Sequence, residues 1–577
     1  MAIAAVRHYA ELVKNNSELK NRPELKSFRN ALLNESIDIF RQLKDQLKAE
    51  KTTTLESMFS LVQGLFELGS LSSEIGNKEN ALKSFGEAIQ LGAFLTQAHP
   101  NNVKYQRILG ASHNNNGNLY RATGRPKEAL ENHQEALILR EALQKDNPTD
   151  TQLQIDLALS HNNIGLLYSD KGQFKQALES YQTALHILEP LAKATPNKRE
   201  IQIALARFHT SFGLLYTATN RTKEALESHK LALSIKETVA QANPTFTEFQ
   251  NALARSHNSI GSLYLAKGNH TEAMESFQKA LTILNMITTK KPTVTQFQQA
   301  LANTHSRFGA LYLVMKRWPE TLASFEKSLT ILKELAKDNP TVTQFQQALA
   351  YTYHQLGNLY SSPEQAVACH QQALALFENL TKVDPSNTDF QNALGDSYGA
   401  LGIWYRDSGH TKEAVESFQR AVTILETIAL NHPTILPIQN RWQTNRNQLA
   451  WCWAIAPQST QADYQKAISV AEGVLHAKPD NRNAIKTLGV AQYRLKEFAG
   501  ALPYLEKTFK LNKAANQGRE NPSDLVFLAM VSFELKRTKD AEDYFQRLKV
   551  AMKNEVFAKD KDSLAFFAEA DQMLHAK

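Results

Sequence analysis

The sequence predicts an all-α solenoid of long helical hairpins, and three observations predict it. The first is a period: Pro100, Pro148, Pro196, Pro244, Pro292 and Pro340 stand 48 residues apart, and a fixed spacing of that size marks a repeat architecture. The second is length. A single core rarely grows beyond about 300 residues, so 577 residues at constant period form an array whose units bury their apolar faces on one another. The third is apolar spacing. In the copy beginning NPTDTQLQIDLALSHNNIGLLYSDKGQFKQALESYQTALHIL at Asn147, Leu153, Leu157, Ile164 and Tyr168 fall at helical intervals. Phe174, Ala177, Leu178, Tyr181, Ala184, Leu185 and Leu188 do so again after Gly172.

Residues 1–53 do not follow the period. Phe28, Leu32, Leu33, Ile37, Phe40, Leu43 and Leu47 are spaced as in a helix. We expect one helix to about Lys14 and a longer one from Pro23 to Ala49, together a cap on the apolar end of the array. Residues 54–433 carry eight long units. In each, Asn-Pro ends the preceding helix, and Thr149…Gln152 reads as a T-x-x-Q capping box, repeated as Thr245…Glu248, Thr293…Gln296 and Thr341…Gln344. Gly172 sits where a C-cap glycine belongs. Each unit should hold two helices of roughly 20 residues, about 30 Å long. The copy around Gly357 is three residues short, since Pro385 follows Pro340 by 45. Its segment LYSSPEQAVACH predicts a tighter turn between its helices and a local change of curvature. Residues 434–577 read as three closing hairpins, with small-residue pairs Ala450/Ala467, Gly489/Ala501 and Ala529/Ala541.

Composition narrows the function. The net charge of +7 is a small excess of 65 basic over 58 acidic residues, with no like-charge block of the kind a nucleic-acid surface displays. Cys369 and Cys452 are too far apart in sequence to suggest a disulfide framework or metal cluster. Neither a signal peptide nor an apolar run of membrane-spanning length is present, so a cytoplasmic location is expected. His113, His161, His209, His257 and His305 recur at one position. Stacked helices would hold them roughly 10 Å apart, too far to share a metal bound at about 2 Å, and packing is the expected role. His133, His229 and His370 replace a second-helix aromatic and are assigned to packing too. No catalytic set or phosphate loop stands out, in residues 434–577 or elsewhere. No enzyme activity, metal or cofactor is expected.

Gly165, Tyr168, Ala177, Tyr181 and Ala184 form the pattern G-x2-Y-x8-A-x3-[FY]-x2-A, repeated in full at Gly261, Tyr264, Ala273, Phe277 and Ala280 and at Gly402, Tyr405, Ala414, Phe418 and Ala421. It resembles the tetratricopeptide repeat (TPR), which implies a right-handed TPR superhelix binding a peptide or protein partner in its concave groove. The usual repeat has about 34 residues, and the longer copies resemble those of kinesin light chain. The units of the type NPTVTQFQQALA and HNNIGLLY, with the ending WCWAIAPQ…TLGVAQYRLKEFAGALPYLEK, resemble the C-terminal TPR tail of bacterial serine/threonine protein kinases. That resemblance implies the alternative of a sensory or docking tail with a kinase as partner. The kinase motifs themselves are missing from the sequence.

The functional candidates lie one step after the recurrent histidines: Asn114, Asn162, Thr210, Asn258, Ser306 and His354. By resemblance to TPR proteins this position faces the groove, where an Asn offers a donor and an acceptor to a peptide backbone. Arg207 and Arg255, three residues earlier, and Arg121 and Arg406, further along, can meet acidic groups. The competing reading is that the asparagines bridge neighbouring helices within the solenoid.

Overall fold

A computed structural model of the chain describes residues 8–9, 12–13, 26–49, 54–74, 78–196, 198–242, 247–292, 294–340, 342–385, 387–431, 433, 436–554 and 561–575. Among them every regular element is an α-helix, and consecutive helices pack as hairpins in the manner of a TPR solenoid. The chain divides into two compact units, Met1–Ile331 and Leu332–Lys577.

In the first unit, helix Lys26–Ala49 lays Leu33, Ile37 and Phe40 against Leu68 and Leu71 of the first hairpin, with Val13 joining them. The expected start at Pro23, the end of the lead-in helix at Lys14, and the side chains of Leu43 and Leu47 lie outside the described residues. Phe28 is exposed rather than packed. The hairpins follow as Leu55–Glu74 with Lys78–Ala98, Val103–Ala122 with Pro126–Asp146, Thr151–Asp170 with Phe174–Ala194, Arg199–Ala218 with Thr222–Ala242, and Thr247–Ala266 with His270–Lys290. Helix Thr295–Val314 comes next. From Val103 onwards the first helices run 20 residues and the second 21.

Several hairpins of this unit turn on one left-handed residue. Gly172 has φ 71°, and beyond it the Gln173 amide donates to the Tyr168 carbonyl at 2.8 Å, closing the first helix in a Schellman-type cap. Asn220 and Lys316 hold the same place at φ 57° and 58°. The helices then meet at a glycine. A methyl group at Gly165 would stand 2.5 Å from the Tyr181 ring, and one at Gly261 2.5 Å from Phe277. Ala177 and Ala184 flank the seam, fully buried.

The helix starts differ from the expected capping box. Asp150, not Thr149, caps helix Thr151–Asp170, accepting from the amides of Gln152 at 2.9 Å and Leu153 at 3.1 Å. The Asp150 amide bonds back to Asn147 O at 3.2 Å, so Thr149 is spent in the turn and the helix begins later. Gln152 turns outward to Asp156. Val294 and Val342 hold the same cap position without a side-chain bond; Thr245, Thr293 and Thr341 lie outside the described residues. A different device recurs instead. The side-chain amides of Gln154, Gln202, Gln298 and Gln391 donate to the carbonyls of Pro148, Pro196, Pro292 and Pro385 at 2.6, 2.9, 3.0 and 2.6 Å, tying each loop to the helix after it.

The second unit carries hairpins Thr343–Leu359 with Pro363–Val383, Thr388–Asp407 with Thr411–Asn431, and Leu436–Ile455 with Gln461–Ala477. The short copy differs from expectation. Its connection, Tyr360–Ser362, keeps the three residues of its neighbours, and its first helix shrinks to 17 residues. The cause is local: Ser362 caps and Pro363 opens the next helix, and Pro pushes the residue before it out of helical geometry. Two compact hairpins follow, Arg482–Arg494 with Phe498–Ala515 and Pro522–Glu534 with Thr538–Ala551. Helix Lys561–His575, which the hairpin count overlooked, closes the unit, setting Phe566 5.0 Å from Phe527 and Glu569 against Arg494. A complete capping box, Thr460 with Asp463, lies here.

Gly165→Ala should destabilise its hairpin by about 1–3 kcal/mol through overpacking. Gly86→Ala, whose methyl would meet nothing within 4 Å, should gain about 0.5–1 kcal/mol of helix propensity. Hydrogen exchange resolved by hairpin checks both; equal protection in the two variants would contradict the seam.

Candidate functional site

In two neighbouring first helices an exposed stripe runs at heptad spacing. In helix Arg199–Ala218 it passes through Glu200, Arg207 and Leu214, and in helix Thr247–Ala266 through Glu248, Arg255 and the half-buried Ser262. Asn303 continues it in the next first helix. Arg207 and Arg255 are exposed, and among the described residues neither forms an ion pair. Crowding by protein pulls the Arg207 pKa down through lost hydration.

The residues one step past the histidines are rotated towards the adjacent helices. Asn162 is fully buried, and neither end of its amide finds a partner. Asn258 is 4% exposed and donates to Thr304 Oγ1 at 2.7 Å. Asn114, half-buried, accepts from Asn163 of the following first helix at 3.0 Å. Thr210 Oγ1 donates to Ala206 O and accepts from Lys236 Nζ at 2.9 Å. Ser306 donates to Ser328 at 2.8 Å within its own hairpin. His354 packs edge-on against His370, ring centroids 5.2 Å apart. Three residues are close to one helical turn but fall about 60° short of it at 3.6 residues per turn, and that offset separates the exposed arginines from the inward amides. Of the other candidates, Arg121 is taken by Asp170 at 2.7 Å and Arg406 by Asp407 at 2.7 Å.

The histidines are packing groups. His133 and His229 fill the aromatic position of their seams, each ring within 2.9 Å of where a methyl on the facing glycine would lie. Burial pushes both pKa values down to about 4, so both are neutral at pH 7, as are His257 and His305, also lowered to about 4. His113 meets Asn132 Oδ1 at 3.1 Å. Among the described residues no three His, Cys, Asp or Glu side chains are placed to hold a metal ion, and burial lifts the Cys452 thiol to about 12.

Sequence reasoning missed the basic residues of the second helices. Arg140 and Lys236 occupy the position that Leu188 and Leu284, both fully buried, hold in the hairpins that follow each of them. A lone basic residue amid KEALES-type text looks like solvated surface, and only alignment on the 48-residue period reveals the substitution. Arg140 reaches Asp156 O at 2.9 Å and Ser160 Oγ at 2.6 Å; Lys236 reaches Ser256 Oγ at 2.8 Å. In the second unit a polar cavity of about 340 Å³ lies among Arg406, Asp407, Gln448, Trp451, Lys486 and Asp562. Its cations are already matched, Arg406 by Asp407 and Lys486 by Asp524 at 3.3 Å.

Long hairpins joined at glycine–aromatic seams, packed one after another, define a helical-repeat protein. Tetratricopeptide-repeat family models match residues 108–189, 254–283 and 394–434, and the chain is a tetratricopeptide-repeat protein. Among solved structures it is similar to the apo form of RapI, at 13% identity and TM-score 0.40, over 76% of this chain and 99% of RapI. It is also similar to a signal-transduction ATPase with a tetratricopeptide-repeat sensor from Pyrococcus horikoshii, at 12% identity and TM-score 0.39, over 68% of this chain and 54% of that one. A third is BtubC (BKLC) from P. vanneervenii, at 18% and 0.35, over 44% and 92%. These likenesses say nothing of activity. No curated protein matches the chain. Among the described residues, no helix is long and apolar enough to cross a membrane.

Because the seam histidines have folded pKa values near 4, below the unfolded 6.5, their stabilisation is full above pH 6.5 and is lost as pH falls towards 4. Each ring carries up to about 3 kcal/mol over that window. The double variant His133→Phe/His229→Phe should show a shallower loss of stability between pH 6.5 and 4 in denaturant titrations; an unchanged pH slope would contradict burial of neutral rings.

Proposed function

We propose that this chain is a non-catalytic scaffold that holds an extended peptide or protein segment along the exposed first-helix stripe of its long hairpins. TPR repeats in general serve protein–protein interaction and are in general non-catalytic. The observation that carries the reading is the split in the first-helix polar groups. Asn114, Asn258, Thr210 and Ser306 are engaged inside the solenoid, while Arg207 and Arg255 face solvent and form no ion pair among the described residues. The amides of Asn114 and Asn258 tie successive first helices together. The hydroxyls of Thr210 and Ser306 bond to second-helix side chains within their own hairpins. Both kinds of bond preorganise the surface. The outward arginines and Leu214 make the contacts. A serine/threonine kinase among the captured partners would favour the docking-tail alternative.

A photo-crosslinking amino acid at Leu214, 52% exposed on the stripe, should capture a defined partner segment from cell extract, identified by mass spectrometry. The same group at Ile138, 58% exposed on a second helix, should not. Equal capture from both positions would remove the stripe assignment.

A further inference from the structure

The polar cavity of about 340 Å³ in the second unit lies among helices Thr388–Asp407, Leu436–Ile455, Arg482–Arg494 and Lys561–His575. This is where the first helices shorten from 20 residues to 13. Its volume falls at the lower end of the range for small-molecule sites, about 300–1,000 Å³, but such sites are mostly apolar. Here Trp451 is the one aromatic side chain in the wall, and the rest of the lining is polar or charged.

The charged and the neutral groups of that lining are in different states. The charges are answered within the protein. Arg406 Nε and Nη2 donate to Asp407 Oδ1 at 2.8 and 2.7 Å, and its Nη1 donates to Gln448 Oε1. Lys486 pairs with Asp524 at 3.3 Å, donates to Ser523 Oγ and stands 5.1 Å over the Trp451 ring. The amides are left open. Asn447 is only 6% exposed; its Oδ1 accepts from Thr487 Oγ1 at 3.2 Å, while its Nδ2 has no partner among the described residues. The same holds for Gln448 Nε2, for the side chain of Asn483 at the exposed rim and for Asp407 Oδ2. A buried amide with an unpaired end is costly, and the end of Asn447 that lacks a partner belongs to the cavity wall.

That division selects the ligand. An anion would have to compete with Asp407 and Asp524 for cations already matched, and breaking a matched pair leaves a charge uncompensated. An apolar ligand would strand the amides. What they can take is a molecule dense in neutral groups that both donate and accept, as a hydroxyl does. A sugar carries hydroxyls around its rim and C–H groups on its ring faces, so it needs an amide-rich wall and one apolar surface.

The geometry points to this cavity as a binding site for an uncharged sugar of one or two rings. Its hydroxyls meet Asn447 Nδ2, Gln448 Nε2, the Asn483 amide and Asp407 Oδ2, and Trp451 is its apolar wall. The site goes beyond the peptide-scaffold reading and does not rest on it.

Isothermal titration calorimetry on the full chain tests it, with glucose, maltose, sucrose and trehalose as probes at millimolar concentration. At least one should bind. Asn447→Leu, which keeps the bulk and removes the amide, should weaken that sugar about tenfold, as the loss of one hydrogen bond to a buried group does. Asn483→Ala, at the rim, leaves the core untouched and should weaken it about threefold or more. Gln546→Ala, exposed on helix Thr538–Ala551 and outside the lining, should change nothing. Since the ligand is neutral, affinity should also hold as salt rises. Binding of none of the four sugars would overturn the inference, as would a sugar whose affinity is the same in both lining variants. Tighter binding of inorganic phosphate, putrescine, glutamine or adenosine would overturn it too, by assigning the cavity to an anion, a cation, a zwitterion or a nucleobase. None of these outcomes touches the scaffold reading, which crosslinking at Leu214 judges.

Discussion

The whole array depends on how closely two helices of a hairpin can approach, and that is set by a glycine facing a ring. At Gly165 and Tyr181 the first-helix backbone lies directly over the aromatic face, leaving no room for even a methyl group. The same contact recurs with Phe277, Phe325 and Phe418, and with histidine at His133, His229 and His370. Flat rings of different polarity are exchangeable because the seam demands thinness and area more than chemistry. The histidines tolerated there are neutral, which turns a packing position into a source of acid sensitivity.

Between hairpins the adhesive changes character. Leu188 and Leu284 pack into the next first helix as plain core, whereas Arg140 and Lys236 replace that leucine with a charged side chain hydrogen-bonded to serine. Amides and hydroxyls such as Asn163–Asn114 and Asn258–Thr304 add a polar layer between successive first helices. That layer orders the surface above it. The exposed stripe with Arg207 and Arg255 is presented by helices whose spacing is held from both sides, so a ligand meets a prepared row.

The ends follow a different rule. Helix Lys26–Ala49 covers the first hairpin of one unit, and helix Lys561–His575 covers the last hairpin of the other with Phe566 and Ala570. A repeat cannot shield its own apolar face. The shorter hairpins from Arg482 onwards bury nearly every residue of helix Pro522–Glu534, so this stretch reads as continuous apolar sequence without a polar stripe of its own.

Much of the fold was legible because it follows from local, periodic rules. The 48-residue spacing, the Gly–Tyr–Ala pattern and the proline punctuation specify helices, turns and hairpin pairing, each decided within a few residues of itself. Gly172, at its left-handed turn, was readable for that reason. The capping box was misplaced by one residue because the turn at Asn147–Asp150 consumes Thr149, and the short copy lost helix instead of turn because Ser362-Pro363 fixes where the next helix begins. The site was legible only in part. Arg207 and Arg255 were found from helical register, but Lys236 was not, since its surroundings come from helices 20 to 26 residues away. By itself the sequence determined a TPR array, as apolar periodicity needs no partner to be read. Tertiary structure alone decided which polar groups are spent between helices and which are left facing outward, because one residue of rotation on a helix moves a side chain from the interior to the surface.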